Sequence, residues 1–332
     1  MKSLNASPRL GYILLALCVF TDCAFGASAP SNLRVAYTSI TGNRIPFWIA
    51  QETGLFEKHG LHVALIYMRN VPVGLPALMG GDVQILAGGV SLVLQAVSKG
   101  AKLTVFGTFG STPYILFTRS DIKEVSQLKG AIIGVGRIGS PDYYSVRRLL
   151  QKLKLSPDKD VKIVSTGASL ERLVALGQGR IHATLGTETN LSTLSIKVNR
   201  LVDLSKVGVE DHGSALITTR DYARTQPEVM ERFVRAFLEG ISLAKRNKEL
   251  AKRVYAKNFR LTDEVILDLN YQTFVLQQIP KEPIFPRDAL EDLMADLAEE
   301  NPKIKEINIG ELLDNTLIQR QVDNGFTDQL YR

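Results

Sequence analysis

The sequence is poor in cysteine and histidine. Of its 332 residues, two are cysteines, Cys18 and Cys23, and four are histidines. Both cysteines lie in an N-terminal segment that we predict to be removed, which excludes a disulfide scaffold, a thiolate metal site and a cysteine nucleophile from the mature chain. The histidines have no metal-ligand spacing, and no GxSxG nucleophile motif is present. The sequence therefore predicts no metal, no cofactor and no catalytic residues.

The N-terminus has the features of an export signal. Lys2 and Arg9 precede the apolar run "GYILLALCVF", and small residues in "AFGASA" offer a cleavage point. The run is shorter than the ~20 apolar residues of a membrane-spanning helix, which favours a cleaved signal over a transmembrane anchor. We predict a signal peptide over residues 1–27 and a periplasmic mature protein. A lipoprotein is disfavoured, because Leu17 and Asp22, and not small residues, precede the two cysteines.

Composition and charge limit the classes of partner. The chain is 45% hydrophobic and 22% charged, with a mean hydropathy of +0.03. It can therefore bury a sizeable core in one or two compact domains. The formal charge of +6 is spread along the chain, without a Lys/Arg-rich block or a nucleic-acid-binding motif. We predict no nucleic-acid partner and a basic surface that suits an anionic ligand.

Strand and helix patterns alternate along the chain. "LRVAYTS" from Leu33 has the pattern of a strand, Pro46 suits the first turn of a helix, and "LHVALIYM" is the next strand. This alternation predicts a mostly parallel α/β sheet. Trp48 lies in the apolar stripe of the first helix, which favours core packing over stacking on a ligand. Tyr143 and Tyr144 suit either a cleft wall or half-buried packing.

The second half of the sequence repeats the pattern of the first. A shift of 98 positions places Leu33–Asn43 on Ala131–Pro141 and also superimposes strand, helix and glycine positions. Two βαβ units can share apolar spacing by chance, but the constant offset favours a true duplication. The extended stretches "YILFTRSDI" and "ALITTRDY" flank the second unit and suit two crossings between lobes. We predict lobe 1 at 31–115 plus 216–332 and lobe 2 at 116–215, with amphipathic helices from Pro227 completing lobe 1.

Four turns are candidates for ligand binding: "TSITGN" from Thr38, "GGVS" from Gly88, "GRIGSPDYY" from Gly136 and "GTETN" from Gly186. Ligands of parallel sheets bind beyond the carboxyl ends of the strands, where helix N-termini present free N–H groups. The shift of 98 positions maps the first turn onto the third and the second onto the fourth, so the two lobes would face each other across a cleft. For any one hydroxyl, an ordinary helix cap is the alternative. The predicted ligand-binding residues are Ser39, Thr41 and Asn43; Gly88, Gly89 and Ser91; Arg137, Gly139 and Ser140; and Thr187 and Glu188.

The third turn carries the most information. Ser140, Pro141 and Asp142 have the pattern of the N-cap, N1 and N2 positions of a helix, with Arg137 just before them. Arginine beside a helix N-terminus can hold a carboxylate, sulfonate or phosphate through two hydrogen bonds. The alternative is a surface ion pair with Asp142. Glu188 in the fourth turn suits contact with a cationic group, an ion pair with Arg137 or exposure to solvent.

These motifs resemble a known family. "PFWIAQETGLFEKHGLHVALIYM", "ALMGGDVQILAGG" and "ALGQGRIHATLG" resemble the periplasmic solute-binding proteins of ABC importers, in the branch with sulfonate, taurine, nitrate and thiamine-precursor binders. The resemblance runs from about Leu33 to the C-terminus, and the pattern A-x-E-x-G-L-F-E-K-x-G-L-x-V in Ala50–Val63 is specific to this branch. The chain departs from the family at His182, where an acidic residue is common.

The resemblance implies a fold and a function. The implied fold is the two-lobed type 2 α/β fold, with mixed, mostly parallel sheets flanked by helices and two hinge strands. The implied function is that of a monomeric importer component that binds a small anionic solute and delivers it to a membrane permease. Ser39, Gly89, Arg137 and Ser140 stand where the family contacts its ligand. The alternatives are an enzyme similar to thiamine-precursor synthases, whose cysteine-rich motif is absent here, and the binding module of a sensor.

Overall fold

The computed structural model describes residues 30–157, 159–209 and 214–332 of the chain. The predicted signal peptide at 1–27 lies outside these described residues. None of the helices within them combines the length and the apolar character that a membrane crossing requires.

The first of two sheets contains five strands in the order β2-β1-β3-β10-β4. β1 pairs in parallel with β2 and β3, whereas β10 runs antiparallel between β3 and β4. The strands are β1 (Ser31–Tyr37), β2 (Leu61–Tyr67), β3 (Ile85–Gly89), β4 (Leu103–Thr108) and β10 (Ser214–Thr219). Helices separate four of these five strands, β1 to β4, in sequence, which is what the alternating pattern predicts for a parallel arrangement.

The second sheet has the same topology, in the order β7-β6-β8-β5-β9. Here β5 is the antiparallel strand, paired with β8 and β9. The strands are β5 (Ile115–Arg119), β6 (Ile132–Val135), β7 (Lys162–Ser165), β8 (Ala183–Gly186) and β9 (Val198–Asp203). The chain thus crosses to the second sheet after β4 and returns after β9, which confirms the predicted two-lobed α/β fold. The predicted lobe limits at residues 115 and 215 stay predictions.

Helices cover both sheets. Between the strands lie α1 (Ile45–Glu52), α2 (Leu55–Lys58), α3 (Val71–Met79), α4 (Ser91–Val97), α5 (Pro141–Lys152), α6 (Ser169–Gly177) and α7 (Glu188–Ser192). After β10 follow α8 (Arg220–Thr225), α9 (Pro227–Arg246), α10 (Lys248–Phe259), α11 (Glu264–Asn270), α12 (Arg287–Ala298), α13 (Ile309–Leu312), α14 (Thr316–Asp323) and α15 (Phe326–Gln329). A π-helical segment, Tyr271–Gln278, continues α11.

The long helix α9 completes the core of the first lobe, as its apolar stripe predicts. Phe233 and Phe237 are fully buried and contact the ring of Phe47 from α1. Trp48 is 4% exposed and meets the ring of Phe259 edge-on at 5.5 Å. The core-packing interpretation of Trp48 is therefore confirmed.

The repeated sequence pattern has a counterpart in the structure. α3 and α6 begin and end 98 residues apart, at Val71–Met79 and Ser169–Gly177. Gly81 and Gly179, which follow these helices, both have positive φ angles, 80° and 72°. Glycine adopts this left-handed conformation without the steric cost that a Cβ atom brings. The repeated glycines thus mark the same backbone turn in each half.

Candidate ligand-binding site

A cavity of about 680 Å³ lies between the two lobes, at the carboxyl ends of the parallel strands. All four turns predicted from the sequence contribute to its lining. Six of the predicted binding residues line it, namely Ser39, Thr41, Gly89, Arg137, Ser140 and Thr187. This volume falls in the range of sites that enclose small organic ligands.

The other five predicted binding residues lie outside the cavity lining. Asn43 is buried behind the first turn. Gly88 lies inside β3, where a Cβ atom would be 3.2 Å from the hydroxyl of Thr38. Ser91 and Gly139 contact each other across the two lobes, with the hydroxyl 3.5 Å from the carbonyl oxygen. The fifth, Glu188, is described with the fourth turn below.

Arg44 is one of several lining residues that the sequence analysis missed. It is 3% exposed, and its guanidinium lies 3.9 Å from the ring centroid of Phe109. Nη2 donates to Ser39 Oγ at 2.7 Å and Nη1 donates to Asn43 Oδ1 at 3.2 Å. These contacts fix the orientation of a buried cation at the wall of the cavity. The sequence signal for Arg44 is an arginine between a strand and a helix, in "TGNR". The apolar stripe that begins at Ile45 instead favours a packing role for this segment.

The hydroxyl groups of the first turn help to orient the side chain of Arg44. Thr41 Oγ1 donates to Asn43 Oδ1 at 2.6 Å and shares a hydrogen bond of 3.2 Å with Ser39 Oγ. A short 3-10 helix, Gly42–Arg44, precedes α1, and neither helix has a side-chain cap. The polar side chains of the turn therefore position Arg44. Thr41 stands at the N-cap position of the 3-10 helix, but its side chain caps neither helix.

The third turn has the predicted helix start but not the predicted ion pair. Ser140 is the N-cap residue of α5 and Pro141 is its first residue. Asp142 accepts a hydrogen bond of 2.7 Å from the amide of Gly136 and contacts the hydroxyl of Ser140. It pairs with Arg172 at 3.4 Å and not with Arg137. The surface ion pair considered for Arg137 and Asp142 was wrong, because the buried Arg172 occupies that carboxylate.

Two arginines of the second lobe therefore have different surroundings. Arg172 is 4% exposed, and besides Asp142 it donates to Thr184 Oγ1 at 3.1 Å and to the Gly167 carbonyl at 3.0 Å. Its charge is neutralised inside the lobe. Arg137 is exposed at the cavity, and within the described residues its guanidinium makes no hydrogen bond or ion pair. Arg137 is therefore free to reach an anion in the cavity.

The fourth turn contributes a hydroxyl but not its carboxylate. Thr187 is the N-cap residue of α7, and its Oγ1 accepts from the amide of Asn190 at 3.2 Å. Glu188 points away from the cavity lining and forms an ion pair with Arg200, with one contact of 2.8 Å. The arrangements considered for Glu188, a ligand contact, a pair with Arg137 or a solvated side chain, all differ from this ion pair with Arg200.

Tyr143 and Tyr144 are buried on α5 and do not line the cavity. Their hydroxyls lie 3.1 and 3.2 Å from the carboxylate of Glu300, just beyond α12. The two tyrosines therefore have a packing role, and their contacts with Glu300 connect lobe 2 to the C-terminal part of lobe 1. Burial and the nearby Glu300 carboxylate both raise the pKa of Tyr143 above its ordinary value.

The charged lining of the cavity is predominantly positive. It contains one acidic residue, Asp142, and five arginines, which are Arg44, Arg69, Arg137, Arg172 and Arg260. Arg69, from lobe 1, spans the cleft to Glu171 on α6 at 2.9 Å. The amide of Ala168 and then Arg69 hold the pKa of the Glu171 carboxyl below its ordinary value. Within the described residues, no group of three or more His, Cys, Asp or Glu is arranged to hold a metal ion.

The chain is similar to a known family and to several known proteins. The family model described as NMT1/THI5 like matches residues 41–251. A Brucella abortus protein, provisionally named a binding protein, is 26% identical over 253 residues, or 73% of this chain and 76% of that protein. The periplasmic aliphatic sulphonate-binding protein of Escherichia coli superposes with a TM-score of 0.67 at 19% identity, over 82% of this chain and 88% of that one.

One similar protein is an enzyme. The 4-amino-5-hydroxymethyl-2-methylpyrimidine phosphate synthase of Schizosaccharomyces pombe is 29% identical over 153 residues, which is 45% of this chain and 42% of that protein. The match covers less than half of either chain. At 19% identity, the similarity to the structure of the sulphonate-binding protein establishes the fold alone.

Proposed function

This chain belongs to the NMT1/THI5-like family, and we propose that it is the extracytoplasmic solute-binding component of an ABC importer, with a small organic anion as its ligand. The observation that carries the proposal is the interlobe cavity, whose charged lining consists of five arginines and one aspartate. Arg172 is paired with Asp142 and Arg69 with Glu171, so the excess of positive charge comes from Arg44, Arg137 and Arg260. A cavity with that balance favours anions over cations and neutral solutes. The buried Arg44, oriented by Ser39 and Asn43, supplies a charge whose position is set before the ligand arrives.

Binding explains the two-lobed architecture without a chemical step. A ligand that touches residues of both lobes binds the closed state more tightly than the open state, so it shifts the population towards closure. A membrane permease that recognises the closed form then receives the solute. In this proposal the protein acts as a monomer in the periplasm, after removal of the predicted signal peptide.

The same lining offers little for acid–base chemistry. Its single carboxylate, Asp142, is held by Arg172 and by the amide of Gly136. The described histidines, His59, His62 and His182, lie outside the lining. His182 Nδ1 accepts a hydrogen bond of 2.8 Å from the amide of Ile132, away from the cavity. These contacts support a carrier over the synthase-like enzyme suggested by the similarity to the yeast protein.

Ligand screening tests the proposal directly. Thermal shifts against sulfonates, aromatic carboxylates and pyrimidines should identify an anionic ligand, and calorimetry should then give its affinity. Arg137→Ala should weaken that affinity about tenfold, because hydrogen bonds to a charged group contribute about 1.5 kcal/mol. It should change the affinity for a neutral analogue far less. The matched control is Arg253→Ala, which removes an exposed arginine from α10 outside the cavity lining.

The outcomes separate the candidates. Equal affinity of wild type and Arg137→Ala removes Arg137 from the site. Failure of every anion to bind contradicts the proposed function, and turnover of a bound candidate by the purified protein favours the enzyme. Recovery of a permease or of a sensor receptor in a membrane pull-down distinguishes transport from sensing.

A further inference from the structure

Three strongly exposed apolar side chains lie at the cavity. Within the described residues, nine large apolar side chains are strongly exposed, and three of them line the cavity: Ile40 at 44%, Tyr67 at 45% and Leu170 at 48%. Ile40 follows β1, Tyr67 ends β2, and Leu170 lies in the first turn of α6. The three residues thus come from three separate elements and from both lobes.

The cavity lining also contains partly buried apolar side chains. Leu92 on α4, Phe259 at the end of α10 and Leu261 just after it also belong to the lining. Contiguous apolar surface that is exposed to water is uncommon on a protein and marks binding sites when it lines a groove. A simple inorganic anion, or a short and fully polar one, would leave most of this surface wet.

We propose that the ligand is an amphiphilic organic anion, with an anionic head at Arg44 and Arg137 and an alkyl or aryl body covered by Ile40, Tyr67 and Leu170. This inference rests on the proposed binding function and narrows its ligand class. The fixed cation is buried in the wall, whereas the exposed apolar side chains come from both lobes. Closure therefore removes the apolar body of the ligand from water on two sides, which adds an attraction present only in the closed state.

The contribution of the ligand's apolar body to affinity can be measured with a homologous series of sulfonates. Calorimetry of the mature protein with ethane-, butane-, hexane- and octanesulfonate keeps the head constant and lengthens the chain. Affinity should rise about fourfold for each methylene that is fully buried, until the cavity is filled. Benzenesulfonate should bind more tightly than ethanesulfonate for the same reason. Equal affinity across the series overturns this inference and leaves the proposed function intact, whereas absence of binding by every sulfonate, carboxylate and pyrimidine contradicts the proposed function itself.

Substitutions assign the effect to the named side chains. Leu170→Ser and Tyr67→Ser should reduce the gain in affinity per methylene by about half, while ethanesulfonate keeps its wild-type affinity. Val73→Ser is the matched control, since Val73 is 54% exposed on the equivalent helix α3 but lies outside the cavity lining. It should retain the wild-type slope. A slope reduced equally by Val73→Ser and Leu170→Ser, or unchanged in both lining variants, overturns the assignment.

Discussion

The first and third turns occupy equivalent places in the two halves of the chain, yet one equivalent buried position carries opposite charges. Arg44 and Asp142 lie 98 residues apart, each at the start of the helix that follows the equivalent strand, β1 or β6. Both are buried, with 3% and 7% exposure. In lobe 1 the position places a cation at the cavity, whereas in lobe 2 it places an anion that Arg172 neutralises.

A second pair of equivalent residues reverses this difference. Ser39, which orients Arg44, corresponds to Arg137, which is exposed at the cavity. Lobe 1 thus offers a fixed charge, and lobe 2 offers a solvated charge on a flexible side chain. A fixed group loses little conformational entropy when a ligand binds, and a flexible one adapts to the ligand after contact. We therefore expect the anion to bind lobe 1 first and lobe 2 to close over it.

The largest effect should follow from removing the buried anion of lobe 2. Asp142→Asn leaves Arg172 buried without its carboxylate and weakens the link to the Gly136 amide. Breaking a buried ion pair from one side costs about 3 kcal/mol in the free energy of unfolding. Urea denaturation should show that loss. Asp121→Asn, which removes an exposed carboxylate paired with Arg119, is the control and should change stability by less than about 1 kcal/mol.

Removing the buried cation of lobe 1 should affect binding and not mainly folding. Arg44→Gln should weaken the binding of an anionic ligand about 100-fold, because a desolvated charge–charge contact contributes about 2 to 3 kcal/mol. Arg44→Lys keeps the charge but loses the paired donors, so it should lie between wild type and Arg44→Gln. Calorimetry measures the affinity, and thermal unfolding checks the fold. Wild-type affinity in Arg44→Gln would place the anion elsewhere in the cavity.

Most of the fold was predictable because it depends on periodic features. Helices α3 and α6, the glycines that follow them and the two antiparallel crossing strands all leave apolar or backbone signals in the local sequence. The N-cap position of Ser140 was predictable for the same reason, since Pro141 is suited to the first turn of a helix.

The site was predictable at the level of turns and not of side chains. No local pattern indicates that Asp142 pairs with Arg172, which lies 30 residues later on another element and meets it only in the folded lobe. Glu188 likewise forms an ion pair with Arg200, which lies on another element, β9. Long-range ion pairs decide which charges remain for a ligand, and no local pattern encodes them. Arg44 was missed because a cation next to an apolar stripe resembles an ordinary helix flank.

The second and fourth turns differ in the size of one residue, and lobe closure should be sensitive to it. Gly89 corresponds to Thr187, and a Cβ atom at position 89 would lie 2.3 Å from Cγ of Pro141 in the other lobe. Gly89→Ala should therefore hold the lobes apart and weaken ligand affinity about tenfold, since overpacking costs about 1 to 3 kcal/mol. Small-angle scattering should show that the ligand no longer compacts the variant fully.

Gly310→Ala provides the control for this glycine. Gly310 lies on α13 outside the cavity lining, and the nearest atom to its Cβ position is the side-chain oxygen of Asn308 at 3.3 Å. The variant should bind and compact like wild type. Normal ligand-induced compaction of Gly89→Ala would mean that closure does not bring position 89 and Pro141 closer than they are here.

The smallest effect should come from the ion pair that spans the cleft. Arg69 of lobe 1 and Glu171 of lobe 2 are both exposed, at 65% and 51% of their side chains. Exposed pairs contribute at most about 1 kcal/mol and are screened by salt. Glu171→Gln should therefore weaken ligand affinity two- to threefold in dilute buffer. The difference should vanish at high salt, whereas Glu306→Gln, at an exposed carboxylate outside the cavity lining, should match wild type throughout.

Low pH should abolish the contribution of the Arg69–Glu171 ion pair to ligand affinity. The folded-state pKa of Glu171 is held below its ordinary value of 4.5 by the Ala168 amide first and then by Arg69. A carboxyl with a lowered pKa stabilises the folded, closed form above its unfolded pKa, and that contribution is lost as pH falls through the folded value. Wild type and Glu171→Gln should thus differ at neutral pH and converge in acid. A difference that persists below the folded-state pKa would show that the substitution perturbs α6 itself, because the protonated carboxyl cannot form the ion pair with Arg69.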